Sequence, residues 1–352
     1  MPWRLGELGE NRGPCVSGHW GVPMPMEPWK RLSSVKTPAM ASSGVVSCPA
    51  QSAGSAAPAR LPSFFVIGPP RTGTTWLHEV LSVRTLLPEP TKETRFFDRH
   101  FRRGLEWYRG HYPASDSTQV IGEVAPTYFA DAGARERIAK TLPHAKVVCI
   151  FRNPVERVVS LYRLKRAYAM IPWSFEQAII RDAEMMESSK YAANLLAWQR
   201  ALGPGQVLST IYDDLRDNPQ AYVDTLADFI GIERFELPES AILRVNGSGS
   251  MTHPRNYYRT RGATMLADWF KARRLDRVVA MVRNSPIKKL FLGGGSPFSE
   301  LSAEVGEKLC DEFRPDVEAL EGMINRDLSA WKSFDALAAS RALGHRPPPV
   351  AG

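Results

Sequence analysis

The residues best suited to chemistry lie between Phe64 and Leu77, where a short apolar run leads into a loop rich in proline, threonine and glycine. The run Phe64–Ile67 predicts a buried β-strand, and the residues from Thr74 onward predict a helix. A tight loop between a strand and a helix N-terminus presents several backbone N–H groups, and the positive end of the helix dipole, to a phosphate. The stretch therefore predicts a phosphate-binding loop.

This loop has glycines at the spacing of a Walker A motif but lacks the motif's lysine. Gly68 and Gly73 match the spacing, and Thr74 stands where the phosphate-binding lysine is usual. Arg71 supplies the side-chain cation of the loop instead. A phosphate loop without that lysine makes a poor NTPase, so the pattern favours a nucleotide site with another chemistry.

A second candidate anion site follows another predicted strand. Arg152 comes directly after the apolar run Val147–Phe151, and a charged side chain in that position needs an anionic partner or an open crevice. Ser160 lies eight residues later, just over two helical turns, and therefore near the face of the helix start. Because parallel strands bind ligands at their carboxyl ends, we expect Arg71 and Arg152 to face one crevice.

Several segments resemble motifs of the sulfotransferases that use 3′-phosphoadenosine-5′-phosphosulfate (PAPS). Pro70–Leu77 resembles their 5′-phosphosulfate loop, and Cys149–Tyr162 resembles their 3′-phosphate segment. Lys92–Asp98, followed by Gly104–Tyr108, is similar to the segment that carries the catalytic glutamate in heparan-sulfate-type enzymes. Glu123–Phe129 is similar to their next motif. Several motifs in the family's order are a stronger signal than one, and they are closest to the heparan-sulfate-type and bacterial carbohydrate branches.

Two departures qualify the resemblance. Val124 stands where the heparan-type motif usually has a lysine after its glutamate, which puts a heparan-type acceptor in doubt. The Lys-Thr-His-Leu-Pro motif of the small-molecule branch is not in this sequence. Its absence argues for a carboxylate as the catalytic base instead of an imidazole.

The resemblance implies how the donor would be held. The predicted donor-binding residues are Arg71, Thr72, Gly73, Thr74, Thr75, Trp76, Arg152, Ser160 and Arg259. Arg71 would also be catalytic, because its planar guanidinium can stabilise negative charge on the phosphate leaving group. Trp76 could stack on the adenine or pack in the core, and both readings are open. Arg259, in a glycine-rich basic loop from Arg244 to Arg261, would close over the nucleotide.

Glu93 is the predicted general base, because a hydroxyl that attacks sulfur must lose its proton to a nearby acceptor. Lys92, also assigned to the catalytic group, and Arg95 flank Glu93 and would keep it ionised. Asp98 would orient Lys92 or the acceptor. Glu123, at the end of a predicted strand, is a second candidate base.

The predicted cofactor is PAPS as the sulfuryl donor, and no metal is required. The transferred SO3 group carries less charge than a phosphoryl group, and positioning with charge stabilisation does most of the work. The sequence has no paired acidic motif suited to Mg2+. The acceptor would carry a hydroxyl (or amine), as a carbohydrate, glycolipid, peptide or small metabolite does, and an anionic carbohydrate is one candidate.

Composition limits the partners and the compartment. The 352 residues carry 45 basic and 37 acidic side chains, a net charge of +8, which suits an anionic donor and acceptor but equally a solvated basic surface. Zinc-finger and RNA-binding signatures are missing, so we expect no nucleic-acid partner. The four cysteines form no CxxC pair, and no apolar run has transmembrane length. We therefore expect no stable membrane insertion and a cytoplasmic location, although an organelle-targeting extension at the N-terminus remains an alternative.

The order of elements predicts the fold. Residues 1–60 read as a disordered or targeting extension, 61–335 as one sulfotransferase domain and 336–352 as a disordered tail. The predicted strands are Phe64–Ile67, Gln119–Val124, Lys146–Phe151 and Val207–Tyr212. The predicted helices are Thr74–Val83, Ala134–Leu142, Pro154–Ala169, Trp173–Met186, Tyr191–Leu202, Pro219–Ile230, Ala263–Arg283 and Ala303–Ile324. This alternation predicts an α/β protein with a P-loop-type three-layer α/β/α fold, a central parallel sheet and a helical C-terminal part.

Three rival functions stay open on the residues alone. A P-loop kinase or NTPase would bind and hydrolyse Mg–ATP. A non-catalytic nucleotide- or polyanion-binding module would bind the donor without any need for Glu93. A basic nucleic-acid binder would show a steep salt dependence.

Overall fold

The computed structural model describes residues 61–113, 119–245, 251–273 and 294–337. The predicted extension 1–60 and most of the predicted tail 336–352 lie outside these described residues. Among the helices of the described ranges, none combines the length and the apolar composition needed to cross a bilayer.

A parallel four-stranded sheet lies at the centre, as predicted. Its strands are β1 (Phe64–Val66), β2 (Gly122–Val124), β3 (Lys146–Phe151) and β4 (Val207–Ile211), in the order β2-β1-β3-β4. Phe64 pairs with Gly122 on one side and with Lys146 on the other. The strand predicted for Gln119–Val124 is shorter than expected, because Ile121 forms only an isolated bridge to Leu86.

Helices cover this sheet and continue beyond it. They are α1 (Thr74–Leu81), α2 (Gly104–Arg109), α3 (Ala132–Thr141), α4 (Pro154–Ala167), α5 (Phe175–Arg181), α6 (Ala183–Glu187), α7 (Tyr191–Leu202), α8 (Tyr212–Asp217), α9 (Pro219–Ile230), α10 (Glu239–Val245), α11 (Tyr257–Ala272) and α12 (Ala303–Ile324). A π-helical segment occupies Phe96–His100. Two short strands, β5 (Thr252–Pro254) and β6 (Gly294–Pro297), form a small antiparallel ribbon.

One predicted helix and one predicted loop differ clearly from the structure. The helix predicted for Trp173–Met186 is split into α5 and α6, with a break at Asp182. The loop predicted to run to Arg261 ends sooner, because α11 begins at Tyr257. The side chain of Asn256 accepts a hydrogen bond from the backbone N–H of Arg259 at 3.1 Å, which is typical of a helix N-cap. Arg259 is therefore a helical residue.

Both faces of the sheet are buried, which confirms the three-layer α/β/α prediction. On β1 and β3, successive side chains alternate between two hydrophobic clusters. One cluster contains Phe65, Val147 and Cys149 and packs against α3, α4, α7 and α12. The other contains Phe64 and Val148 and packs against α1, α8 and α9.

The start of α4 fixes the residue that precedes it. The side chain of Asn153 accepts hydrogen bonds from the N–H groups of Val155, at 3.0 Å, and Glu156, at 3.2 Å. Pro154 occupies the first helical position, where its missing N–H has no intrahelical partner to lose. Arg152 is thus held between the last residue of β3 and a capped helix.

Gly68, where β1 leads into the loop, approaches β3 too closely for a side chain. A Cβ atom there would lie 2.2 Å from Cγ2 of Ile150 and 2.8 Å from both its backbone nitrogen and its backbone oxygen. The backbone contacts cannot be relieved by a change of rotamer. The close approach of the loop to β3 therefore depends on glycine.

We predict that Gly68→Ala lowers the free energy of unfolding by about 2 kcal/mol or more, because a methyl group forced into a packed backbone contact displaces β1 or β3. Gly205→Ala is the matched control, since a Cβ there meets nothing within 4 Å. Urea unfolding of both variants measures the difference. Equal stability of the two variants would contradict the close packing of Gly68.

Candidate donor-binding site

The phosphate loop joins β1 to α1 and leaves the first turn of that helix open. Gly73, with φ at 88°, lies directly before α1, and no side chain caps the helix. No acidic side chain lies in its first turn. The free N–H groups and the helix dipole therefore point to an anion. Gly73 is also confined by its neighbours, because a Cβ atom would lie 2.9 Å from Leu215 and 3.1 Å from Tyr212.

The interior of the loop is held by its own hydrogen bonds. The buried hydroxyl of Thr72 donates to the carbonyl of Pro69 at 2.8 Å. Arg71 adopts φ of 80°, in the left-handed region that a residue with a side chain rarely occupies. Such a conformation persists only where the surroundings hold it in place. The surrounding loop therefore holds the backbone of Arg71 in this left-handed conformation.

Arg71 reaches the second predicted anion site. Its Nε donates to Oγ of Ser160 at 2.9 Å, and Nη1 of Arg152 donates to the backbone carbonyl of Arg71 at 3.4 Å. Burial, and then the positive charge of Arg152, lower the pKa of Arg71. The three side chains predicted to bind opposite ends of the donor thus meet in one place. Two neighbouring guanidinium groups favour an anion between them.

Two residues outside the predicted donor-binding set contact Arg152. Its Nε and Nη2 donate to Oε2 of Glu156 at 3.0 and 2.9 Å, one turn along α4. Its guanidinium carbon lies 4.9 Å from the centre of the Tyr212 ring. The spacing of four residues between Arg152 and Glu156 is a sequence signal for the pair. Tyr212 begins α8, directly after the carboxyl end of β4, and therefore lies at the same edge of the sheet as Arg152.

Arg157, beside this site, is structural. Its side chain is fully buried, and Nε donates to Oγ of Ser189 at 2.7 Å. Its Nη2 donates to the carbonyl of Met185, and its Nη1 lies 3.5 Å from the carbonyl of Pro70. Burial lowers the pKa of Arg157. The residue thus ties the phosphate loop to the region of α6.

Lys92 and Glu93 adjoin the first turn of α1. Nζ of Lys92 donates to Oγ1 of Thr75 at 3.4 Å and lies 3.5 Å from Oε1 of Glu93. Burial lowers the pKa of Lys92, while the charge of Glu93 opposes that shift. The Glu93 side chain keeps 26% of its surface exposed, so its carboxylate can meet an acceptor.

Arg95 and Asp98, which were predicted to act on Glu93 and Lys92, contact each other instead. Nε of Arg95 donates to Oδ2 of Asp98 at 2.6 Å, so Arg95 pairs with Asp98 instead of Glu93. No contact among the described residues joins Asp98 to Lys92, so the expectation that Asp98 orients Lys92 was wrong, and a contact of Asp98 with the acceptor stays a prediction. The π-helical turn that starts at Phe96 brings Arg95 and Asp98 onto one side of the chain.

Glu123 does not belong to the crevice. It occupies the middle of β2, opposite Phe65, and its side chain is fully buried. Its Oε1 accepts hydrogen bonds from the backbone N–H and the hydroxyl of Thr94, at 2.8 and 2.7 Å. A carboxylate without solvent access and with occupied oxygens cannot accept a proton from a substrate, so its assignment as a second base was wrong.

The remaining predicted residues lie around this group. Trp76 donates from Nε1 to the carbonyl of Ala241 at 2.8 Å, and its ring packs partly buried between α1 and α10. Thr74 is buried, whereas Thr75 is exposed. Arg259 is exposed on α11, and no hydrogen bond among the described residues joins its side chain to the site. Contacts of Trp76 and Arg259 with a nucleotide stay predictions.

Metal-ligating side chains do not gather in the described ranges. In these ranges, no group of three or more His, Cys, Asp or Glu side chains is arranged to hold a metal ion.

An open helix N-terminus at the carboxyl edge of a parallel sheet, with two arginines converging on it, defines a P-loop-type α/β protein. The family model for the sulfotransferase domain matches residues 61–245, more than half of the chain. The chain belongs to the sulfotransferase domain family.

Known proteins share part of this chain. It is 30% identical over 199 residues to human bifunctional heparan sulfate N-deacetylase/N-sulfotransferase 2, covering 50% of this chain and 22% of the relative. It is 30% identical over 184 residues to mouse heparan sulfate glucosamine 3-O-sulfotransferase 3B1, covering 50% of this chain and 47% of the relative. The chain thus spans less than half the length of either relative.

A solved structure shares the fold. The sulfotransferase from Alicyclobacillus acidocaldarius superposes with a TM-score of 0.57 at 20% identity, over 78% of this chain and 99% of that one. The sulfotransferase fold therefore extends over most of the chain.

We predict that Arg157→Met lowers the free energy of unfolding by about 3 kcal/mol, because it leaves buried acceptors without their charged donor. Arg234→Met is the control, since Arg234 forms an exposed pair with Asp228 and exposed pairs contribute at most about 1 kcal/mol. Thermal and urea unfolding measure both. Equal losses in the two variants would refute a structural role for Arg157.

Proposed function

We propose that this protein transfers a sulfuryl group from PAPS to a hydroxyl (or amine) of a carbohydrate or glycoconjugate and releases 3′-phosphoadenosine-5′-phosphate (PAP). The observation that carries the proposal is the meeting of Arg71, Ser160 and Arg152 beside the open start of α1. Support for a carbohydrate acceptor comes from the heparan sulfate sulfotransferases that the chain resembles over half its length.

The donor would be held at its two charged ends. The 5′-phosphosulfate would accept hydrogen bonds from the N–H groups of the first turn of α1, together with the Thr75 hydroxyl. The 3′-phosphate would take the free donors of Arg152 and the hydroxyl hydrogen of Ser160. A hydroxyl can accept one bond while it donates another, so Ser160 can hold Arg71 and the 3′-phosphate together.

The chemical step would use Glu93, Lys92 and Arg71. The acceptor oxygen attacks sulfur, its proton passes to the carboxylate of Glu93, and the bond from sulfur to the bridging phosphate oxygen breaks. Arg71 would stabilise the charge that develops on the departing phosphate. Lys92 bridges Thr75 and Glu93 and would hold the carboxylate of the base close to the loop.

The proposal includes a cytoplasmic location and an anionic carbohydrate among the candidate acceptors. Two observations support it: the free thiols of Cys149 and Cys310, and the net charge of +8. The donor chemistry needs no metal in this scheme, since arginine and lysine side chains supply the positive charge.

We predict that PAP binds without a metal ion and that Arg152→Ala raises its Kd at least about ten-fold, because a charged hydrogen bond to the 3′-phosphate is lost. Adenosine 5′-phosphosulfate lacks that phosphate, so its Kd should change less than about two-fold. Calorimetric titration of both ligands measures this, with Arg234→Ala as the exposed control. Binding of Mg–ATP alone would favour a P-loop kinase, and unchanged PAP affinity in Arg152→Ala would remove the assigned 3′-phosphate site.

We predict that Glu93→Gln lowers kcat by about a hundred-fold or more while the Kd of PAP stays within about two-fold, because general-base catalysis is lost and donor contacts remain. Glu106→Gln is the matched control, since Glu106 is an exposed carboxylate on α2 with 86% of its side chain accessible. Transfer of labelled sulfate from PAPS to a panel of oligosaccharides measures kcat. Wild-type turnover in Glu93→Gln would exclude this residue as the base.

A further inference from the structure

A buried carboxylate lies behind the segment that carries Glu93. Glu123 is fully buried on β2, and its Oε1 accepts two hydrogen bonds from Thr94, the residue next to Glu93. These bonds cross from the sheet to the loop. The hydroxyl of Thr94 in turn accepts a hydrogen bond from the backbone N–H of Phe96 at 3.1 Å. The carboxylate of Glu123 therefore holds the backbone that directly follows the proposed base, Glu93.

Tyrosine hydroxyls complete the surroundings of Glu123. Tyr108, on α2, donates to Oε2 at 2.7 Å, and the hydroxyl of Tyr112 donates to that of Tyr108 at 3.0 Å. The hydroxyl of Tyr128 lies 3.4 Å from both carboxylate oxygens and accepts from the N–H of Phe97 at 3.3 Å. No ion pair to Glu123 is formed by the described residues, so hydrogen bonds alone compensate its charge.

We propose that Glu123 is a positioning residue that anchors the segment from Thr94 to Phe97 and so places the carboxylate of Glu93 against the donor. The inference rests on the proposed function, because it gives Glu93 the role of base. It assigns to Glu123 no contact with the substrate.

The anchored segment has features that require an anchor. Arg95 has φ of 55°, a left-handed conformation for a residue with a side chain, directly between Thr94 and the π-helical turn. The ring of Phe96 stacks on Tyr108 at a centroid distance of 4.4 Å. Glu123 and the aromatic rings thus bind the same short segment from below, and loss of the carboxylate would free the Thr94 end.

Protonation of Glu123 would weaken the anchor. Burial raises the pKa of Glu123 to about 7, against the opposing effect of the hydrogen bonds from Tyr108 and Thr94. The ionised carboxylate accepts from all its partners, whereas the protonated form has to donate one hydrogen itself. The groups that face it are the hydroxyls of Thr94, Tyr108, Tyr112 and Tyr128 and the more distant charges of Glu93 and, beside Tyr128, Asp98.

The sign of the pH effect follows from these contacts. As the pH falls through about 7, Glu123 takes up a proton and turnover should fall with it, whereas PAP affinity should not follow this limb. Folding stability should show the opposite trend. A carboxyl group with a raised pKa in the folded state favours folding at low pH, and this contribution is lost as pH rises from the unfolded value of 4.5 to about 7.

The test compares Glu123→Gln and Glu123→Leu with Glu321→Gln, which removes a carboxylate bonded to the backbone N–H of Leu328 near the end of α12. We measure kcat and PAP Kd between pH 6 and 8.5, and hydrogen exchange in residues 91–98. Glu123→Leu should lower kcat about ten- to a hundred-fold, as small displacements of a catalytic group do, and should speed exchange in 91–98 without a change in PAP Kd.

Glu123→Gln keeps the shape and can still accept both bonds from Thr94. It should retain most of the turnover at pH 8 and lose the pH limb near 7, a readout that a merely structural residue would not move. Wild-type kcat and exchange in Glu123→Leu would overturn the inference, and so would a limb near 7 that persists in Glu123→Gln. If Glu123→Leu does not fold, the pH profile of Glu123→Gln decides alone.

Failure of the proposed function gives a different result. A wild-type protein that binds no PAP and transfers no sulfate refutes that function. Exchange at 91–98 still decides the anchor in that case: faster exchange in Glu123→Leu at unchanged global stability supports it, and exchange in Glu123→Leu equal to that of the wild type overturns it.

Discussion

The parallel pairing of β1 with β3 is the constraint on which the site depends. Val66 lies opposite Val148, so the loop after β1 and the residue after β3 leave the sheet at the same edge. This pairing brings Arg71 and Arg152 together, although the two residues lie far apart in the sequence. Gly68 allows the close approach, because a side chain there would collide with the backbone of Ile150.

The two arginines have different partners. Arg152 is neutralised in part by Glu156 and lies against the ring of Tyr212. Arg71 has only the hydroxyl of Ser160 as a side-chain partner among the contacts described above, and burial near Arg152 disfavours its charge. An anionic ligand would relieve this unfavourable pairing and would thereby stabilise the folded state.

Two buried charged residues, Arg157 and Glu123, stabilise the two segments that carry the site residues. Arg157 ties the phosphate loop to α6, and Glu123 ties the Thr94 backbone to the sheet. Each has several hydrogen bonds in place of water. Because a buried charge without its partners is costly, both contacts are sensitive to substitution in a way that surface pairs are not.

The sequence by itself determined the order of strands and helices, the phosphate loop and the parallel α/β class. It also predicted the bounds of β3 (Lys146–Phe151), α7 (Tyr191–Leu202), α9 (Pro219–Ile230) and α12 (Ala303–Ile324). These features are encoded locally: apolar runs, caps and proline or glycine at element ends act within a few residues. The sequence also allowed a prediction of where the donor site lies, because its two arginines follow strand ends.

Only the tertiary structure decided which side chains meet. Arg71 bonds to Ser160 across 89 positions of the chain, and Thr94 bonds to Glu123 across 29. Sequence patterns carry no record of such distances, so Glu123 looked like a residue of the crevice when it is buried behind it. The pairing of Arg95 with Asp98 depended on a π-helical turn packed on aromatic rings, which local propensity does not encode.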